Sequence, residues 1–267
     1  MGITSEMMDL SGRTAVITGA AGSLGGRIAD SLAELGADLI LLDRPGTDLE
    51  SICDQLQNQW GRQVSCHCCD LERGEQRREF AAQLATSGIN LNILVHNAAF
   101  VGTSSLDGWS EPFEKQSVET WRRALEVNIT AVFDLSQQLM PLLEQSEGAS
   151  IINIASMYGE HGPDWLLYED TDMANPAAYS VSKGGLIQFT RWLATTVAPK
   201  VRVNSISPGG IFRDQPEVFV NRYESRTPLK RMATEDDMRG AIVYLASDMS
   251  AYVTGQNLVV DGGWSVW

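Results

Sequence analysis

The sequence predicts an α/β fold of one domain, built on a doubly wound, seven-stranded parallel sheet with helices on both faces. Three observations point there. Short apolar runs alternate with longer amphipathic stretches along the chain. Several of the runs are apolar on both faces, as strands central to a parallel sheet are. A glycine-rich turn stands between the first run and the first amphipathic stretch.

Taken in order, Thr14–Thr18 (TAVIT) reads as a buried strand, and the stretch after it carries Ile28, Leu32 and Leu35 on one helical face. Asp38–Asp43 (DLILLD) is the second strand, Val64–Cys69 the third and Leu91–His96 (LNILVH) the fourth. Ser150–Ala155, Val201–Ile206 and Asn257–Val260 complete the set. Helical stretches are expected at Gly74–Thr86, Val118–Leu143, Ala177–Ala198 and Glu235–Ser247, the last with a capping box at Thr234 and Asp237. Strands separated by helix-length segments make βα repeats, and right-handed crossovers wind them on both sides of one sheet. Residues 1–267 therefore read as a single domain, broken in rhythm only at about 157–178 and 211–231. Both excursions leave the carboxyl ends of strands, where such sheets bind ligands, so both are candidate substrate-covering loops.

Composition narrows the partners. A chain of 267 residues with net charge −14 buries a core without staples and repels phosphate backbones and anionic lipid. Nucleic acid and membrane surfaces are thus excluded as expected partners, and a small molecule is favoured. Cys66, His67, Cys68 and Cys69 are ligand types, but neighbours on one strand point to opposite faces and no second cluster completes a tetrahedron. Buried strand residues are expected, with no metal site. Free thiols at this density fit a reducing cytoplasm. The first residues lack a basic and then apolar leader, and no apolar run reaches membrane-spanning length, so the expected location is cytoplasmic.

The turn Thr18-Gly19-Ala20-Ala21-Gly22-Ser23-Leu24-Gly25-Gly26 opens a helix directly after a strand. Glycines let backbone N–H groups close on a pyrophosphate at a helix N-terminus. Asp43 ends the second strand, where a carboxylate accepts hydrogen bonds from ribose hydroxyls and repels a 2′-phosphate, favouring NAD over NADP. Arg44 beside it is the residue that would instead meet a 2′-phosphate.

Tyr179 and Lys183 stand four apart at the start of a helix, on one face. Tyrosine is a poor acid or base near neutrality because its reference pKa is about 10. An ammonium held nearby favours the phenolate and lowers that value. The spacing alone is a weak sign; the residues around it carry the reading.

Those residues resemble the short-chain dehydrogenase/reductase family in register from about Leu10 to Trp264. Thr18–Gly25 is similar to its TGxxxGxG turn, Asn97-Ala98-Ala99 to its NAG motif, and Asn128 to its helix asparagine. Asn153–Ser156 is similar to the strand ending in the catalytic serine, Tyr179 and Lys183 to YxxxK, Pro208-Gly209 to the PG after the sixth strand, and Asp261–Gly263 to the usual C-terminal end. The resemblance implies a Rossmann fold and a nicotinamide coenzyme, and assembly as a homotetramer or dimer. It implies Ser156 and Tyr179 on the substrate oxygen, Tyr179 as proton donor or acceptor, Lys183 on the nicotinamide ribose, and Asn128 anchoring a relay water. Coenzyme contacts are implied for Gly19, Gly22, Ser23, Leu24, Gly25, Asp43, Arg44, Asp70, Leu71, Asn97, Ala98, Ala99, Tyr179, Lys183, Pro208, Gly209 and Ile211.

The chain departs from the family pattern in three places. Ser23 replaces the middle glycine of the turn, with Gly22 placed to take over the close approach. Tyr179 lies 23 positions after Ser156 (179 − 156), about twice the family's usual gap. Arg213 stands beyond Pro208-Gly209, where the family often has a threonine. Trp165, Tyr168 and several carboxylates in the first excursion suit a polyhydroxylated, carbohydrate-like substrate, and Arg213 suits a phosphate or carboxylate. A plain solvated loop is the alternative. Arg222 and Arg226 read first as surface partners of nearby acids. Trp264-Ser265-Val266-Trp267 is apolar enough to expect burial at a subunit interface.

The reading is therefore an NAD(H)-dependent oxidoreductase acting on a small polar, carbohydrate-like alcohol or ketone. The alternatives are an NADPH-dependent 3-oxoacyl-thioester reductase and a dinucleotide-binding protein without turnover. A sugar epimerase or dehydratase is a more distant one, since those proteins usually carry a larger domain after the sheet.

Overall fold

The computed structural model describes residues 2–102 and 104–267. Its centre is one seven-stranded sheet: β1 (Thr14–Thr18), β2 (Asp38–Asp43), β3 (Val64–Cys68), β4 (Leu91–His96), β5 (Ser150–Ile154), β6 (Arg202–Pro208) and β7 (Asn257–Val260). The order across the sheet is β3-β2-β1-β4-β5-β6-β7, and every pairing is parallel. The direction of winding reverses between β1 and β4, which opens a crevice at their carboxyl ends.

The helices are α1 (Ile3–Met8), α2 (Ser23–Glu34), α3 (Leu49–Trp60), α4 (Gly74–Thr86), α5 (Val118–Leu125), α6 (Ala131–Leu143), α7 (Ala177–Val197), α8 (Glu217–Arg226) and α9 (Arg239–Ala246). Alternate strand residues feed two cores. Ala15, Ile17, Leu39, Leu41, Ile93 and Val95 pack under α2, α3 and α9. Val16, Ile40, Leu42 and Leu94 pack under α4, α6 and α7. That period of two on doubly buried strands is why the strands read as continuous apolar runs.

Several elements differ from the sequence expectation. The helix expected over Val118–Leu143 is interrupted by a π turn at Glu126–Thr130. α3 went unexpected although its sequence announces it: Asp48 Oδ1 accepts from the Ser51 N–H at 3.2 Å, and Gly61 ends it in the left-handed region at φ +63°. The third strand ends at Cys68, which is exposed because β3 is the sheet edge; only Cys69 and Cys53 are buried.

The two excursions are one structure, not two loops. α8 lies inside the second, and its Arg222 pairs with Asp170 at 2.9 Å while Arg226 bonds Asp164, both acids of the first. Between them Met157, Leu167, Phe219, Tyr223, Met232 and Trp264 form an aromatic core of their own. Trp264 is only 2 % exposed within its own chain, with the Arg226 guanidinium 4.4 Å from its ring centroid, so the subunit-interface expectation fails for it. Its partners come from sequence-distant excursions that only folding brings together. Val266 and Trp267 remain exposed.

Candidate active site

The glycine turn is built by close approach. Gly19 has φ +67°, and a Cβ there would sit 2.8 Å from the Ala98 Cα; one on Gly25 would sit 2.0 Å from the Gly19 carbonyl oxygen. The Asn97 side-chain amide donates to the Thr18 and Gly19 carbonyls at 3.1 and 3.0 Å. Thr18 Oγ1 in return accepts from the N–H groups of Asn97 and Ala98. Ala99 follows, half-buried. The end of β4 is thereby stapled to the end of β1, across the crevice. α2 starts at Ser23 behind Gly22, with no side chain capping it, so the first-turn N–H groups of Ser23, Leu24 and Gly25 face outward from a positive helix end. Gly22 and Ser23 are exposed and Leu24 anchors against the core.

Asp43 reaches from β2 to this turn, accepting from the Ala21 N–H at 2.8 Å through Oδ2 and from the Arg44 N–H at 2.8 Å through Oδ1. Arg44 itself is exposed. At the next strand end, Asp70 Oδ1 accepts from the Glu72 N–H and the Leu71 carbonyl accepts from Arg77 Nη1. Arg77 was not anticipated. It is 5 % exposed and also binds Asp134 at 2.5 Å and Glu126 at 2.7 Å, tying the Leu71 segment to the π turn and to α6. Lone arginines in amphipathic helices give no sequence sign of burial.

Ser156, beyond β5, has its Oγ accepting from the Tyr158 N–H at 3.1 Å. Tyr179 and Lys183 lie on the first turns of α7, with Lys183 Nζ 5.7 Å from the Tyr179 ring centroid. Nζ donates to the Ile154 carbonyl at 2.7 Å and has no acidic partner among the described residues. Burial, at 3 % exposure, brings the Lys183 pKa down to about 8. Burial likewise holds the Tyr179 phenol above its ordinary value, opposed by a hydrogen bond with the Ser156 side chain and, more weakly, by the Arg213 charge.

Asn128 sits in the π turn, 1 % exposed. Its Oδ1 accepts from the Phe100 N–H at 2.8 Å, and Nδ2 donates to the Phe100 carbonyl and to Ser182 Oγ. Ser182 donates in turn to the Tyr179 carbonyl at 2.8 Å. The side chain thus ties the β4 exit to the helix bearing Tyr179. A π turn mid-helix shifts the backbone register there, a device that recurs at functional sites.

Pro208 and Gly209 end β6. A Cβ on Gly209 would sit 2.8 Å from the Asp261 Cα, and the Gly210 N–H donates to the Tyr223 hydroxyl at 2.6 Å. Ile211 bridges to Ala233. Arg213 is half-exposed and paired with Glu235 at 3.0 Å, while its charge reaches Tyr179. Tyr168 lies in the aromatic core, its hydroxyl 2.7 Å from that of Tyr158. Trp165 packs its ring beside Tyr168 but is 56 % exposed. No cluster of three or more metal-ligating side chains occurs among the described residues.

The sheet's carboxyl edge therefore gathers the glycine turn, Asn97–Ala99, Ser156, Tyr179, Lys183, Asn128 and Pro208–Ile211 into one crevice, with Asp43 at its rim. Comparison with known proteins agrees with that geometry. Residues 19–265 match a family described as enoyl-(acyl carrier protein) reductase. A candidate galactose dehydrogenase of Rhizobium meliloti is 30 % identical over 267 residues, covering 97 % of this chain and 98 % of that protein. Two solved structures superpose closely. One is a candidate NAD(P)-dependent gluconate 5-dehydrogenase from Beutenbergia cavernae with NADP bound, at TM-score 0.86 and 31 % identity over 98 % and 100 % of the two chains. The other is a short-chain dehydrogenase from Leptospira borgpetersenii with NAD+ bound, at TM-score 0.84 and 30 % identity over 99 % and 96 %. An NAD(P)-dependent oxidoreductase working on alcohol and ketone groups, this chain belongs to the short-chain dehydrogenase/reductase family.

Proposed function

We propose that this enzyme moves a hydride between NAD(H) and a small polar, carbohydrate-like alcohol or ketone, with Tyr179 as the proton donor or acceptor. The observation that carries the reading is Lys183: a buried ammonium with no acidic partner among the described residues, beside Tyr179, spends one donor on Ile154 and keeps the others for the crevice.

The crevice fits a dinucleotide, because the positions where a Cβ would collide, Gly19 and Gly25, are those that line an uncapped helix N-terminus. Gly22, Ser23, Leu24 and Gly25 would hold the pyrophosphate, and Asp43 with Arg44 the adenosine ribose. Asp70 and Leu71 would meet the adenine. Asn97, Ala98, Ala99, Pro208, Gly209, Ile211 and Lys183 would line the nicotinamide side. When bound, the coenzyme supplies or accepts the hydride. The chain's own part is to place and move the proton. Ser156 and Tyr179 hold the substrate oxygen, and Tyr179 takes its proton in oxidation or gives one in reduction. Lys183 favours the phenolate electrostatically. The Asn128 amide spends both donors on Phe100 and Ser182, so a relay water would meet this residue at an acceptor oxygen, of Oδ1 or of the main chain.

The polar insertion between Ser156 and Tyr179, together with Arg213, favours a hydroxylated substrate over an acyl chain. The relative described as a galactose dehydrogenase and the gluconate-type structure support that class. The free thiols suit a reducing cytoplasm, and no helix among the described residues is long and apolar enough to cross a membrane. Phe133 and Trp192, exposed on α6 and α7 around Phe189, support a homo-oligomer, a tetramer or a dimer.

The coenzyme preference is tested at Asp43. The wild type should give a higher kcat/KM with NAD than with NADP, and Asp43→Ala should lower the NAD value roughly tenfold, the worth of a charged hydrogen-bond acceptor, while sparing NADP. A wild type that prefers NADP, with activity on 3-oxoacyl thioesters, overturns the reading in favour of a thioester reductase.

A further inference from the structure

A hydrogen-bond count beside Tyr179 leaves one donor unspent. Tyr158 and Tyr168 bring their hydroxyl oxygens to 2.7 Å of each other. Tyr158 is fixed from below, its N–H held by Ser156 Oγ, and Tyr168 is delivered by the insertion. Asn175, 6 % exposed, accepts the Ser180 O–H at 2.9 Å through Oδ1, which leaves only its NH2 to face the Tyr168 hydroxyl. Two hydrogen-bonded pairs, Tyr158–Tyr168 and Asn175–Ser180, therefore stand between the residue two past Ser156 and the residue after Tyr179. Two phenols carry two O–H protons, and one of them bridges the pair. Whichever phenol donates across the pair, one O–H remains without an acceptor among the described residues. Both hydroxyls lie close enough to Tyr179 to feel its charge, and burial raises the pKa of both, so both stay protonated. Among the described residues neither hydroxyl is hydrogen-bonded to an acid or a backbone carbonyl.

We propose that the Tyr158–Tyr168 hydroxyl pair recognises a hydroxyl oxygen on the carbon next to the reacting one, so that the preferred substrates are α-hydroxy carbonyl compounds and the corresponding vicinal diols. This rests on the oxidoreductase reading above and narrows its substrate class. The acceptor is a neutral hydroxyl because the pair can also accept a hydrogen bond through its lone pairs, and Arg213, whose charge reaches Tyr179, is already paired with Glu235. A site that hydrogen-bonds a substrate hydroxyl discriminates against the analogue lacking it, since the buried donor is then left unpaired.

The test uses matched substrates with the full chain and each coenzyme: 3-hydroxybutan-2-one against butan-2-one, and D-galactose against 2-deoxy-D-galactose. The wild type should favour the hydroxylated member by roughly tenfold or more in kcat/KM. Tyr158→Phe, Tyr168→Phe and the double variant should bring that ratio close to one through a loss on the hydroxylated member, with the Kd for NADH, read by fluorescence, unchanged. The double variant removes both partners at constant shape and so guards against misfolding of a single one. A ratio that survives the double variant, or an equal loss on both members, overturns the proposal and reduces the pair to packing. A wild type that turns over none of the four with either coenzyme overturns the reaction reading itself and takes the proposal with it.

Discussion

Tyr179→Phe should lower kcat/KM by about 10²–10⁴, the span that a positioned proton donor or acceptor contributes, while NADH binding and Tm stay close to wild type. The hydroxyl is the only group removed, and the ring remains packed with Phe100, Leu106 and Trp121 around Trp109. Steady-state rates together with fluorescence titration of NADH check it; activity within tenfold of wild type would sink the mechanism. The pH profile carries a second sign. Oxidation needs the ionised phenol as base, and burial raises the Tyr179 pKa, so kcat/KM for alcohol oxidation should fall as pH falls. Lys183 is itself lowered to about 8 by burial, so its charge is present below that pH and fades above it. Lys183→Met removes the cation that favours the phenolate. The advantage of wild type over the variant in alcohol oxidation should then be largest below about pH 8 and shrink above it, and a ratio that does not change with pH would show that Lys183 acts on the ribose alone.

Arg77→Met should destabilise the fold by about 3 kcal/mol, at the low end for a broken buried ion pair because Glu126 and Asp134 keep partial access to solvent. The loss is read as a lower urea midpoint at unchanged m-value. Arg73, whose 3.7 Å pair with Asp70 is largely exposed, is the control: Arg73→Met should cost under about 1 kcal/mol. Arg77 also holds the Leu71 carbonyl and the π turn carrying Asn128, so the KM for the coenzyme should rise in Arg77→Met even at low temperature, where the variant is folded. Equal midpoints for the two variants would show that the Arg77 cluster contributes no more than a surface pair.

Much of the site was legible because it is local. A strand, a tight turn and a helix follow one another at residues 14–34, and Gly22 and Gly25 answer the Gly19 carbonyl a few residues away, while Gly19 answers its own φ of +67° as well as the distant Ala98. The YxxxK spacing is likewise a property of one helix. The elements that escaped were masked by polar content. α3 carries Leu49, Ile52, Cys53, Leu56 and Trp60 between uncharged polar residues for the most part, and α8 hides among arginines and acids whose pairing partners lie in the other excursion. The π turn has no sequence sign at all, since Val118–Leu143 reads as one unbroken amphipathic run.

The sequence by itself determined the chemistry-bearing order along the chain: the doubly wound sheet, the phosphate turn, Asp43 at the second strand end, and Ser156, Tyr179 and Lys183 as a set. These depend on hydrophobic period, backbone sterics and spacings within one element, all of which are written locally. Only the tertiary structure decided what surrounds that set. It closed the two excursions on each other through Arg222, Arg226 and Trp264, buried Arg77 across three elements, and brought Tyr168 onto Tyr158. Those contacts join side chains far apart in sequence, and a pair of hydroxyls meeting at 2.7 Å exists only once packing has excluded every other arrangement.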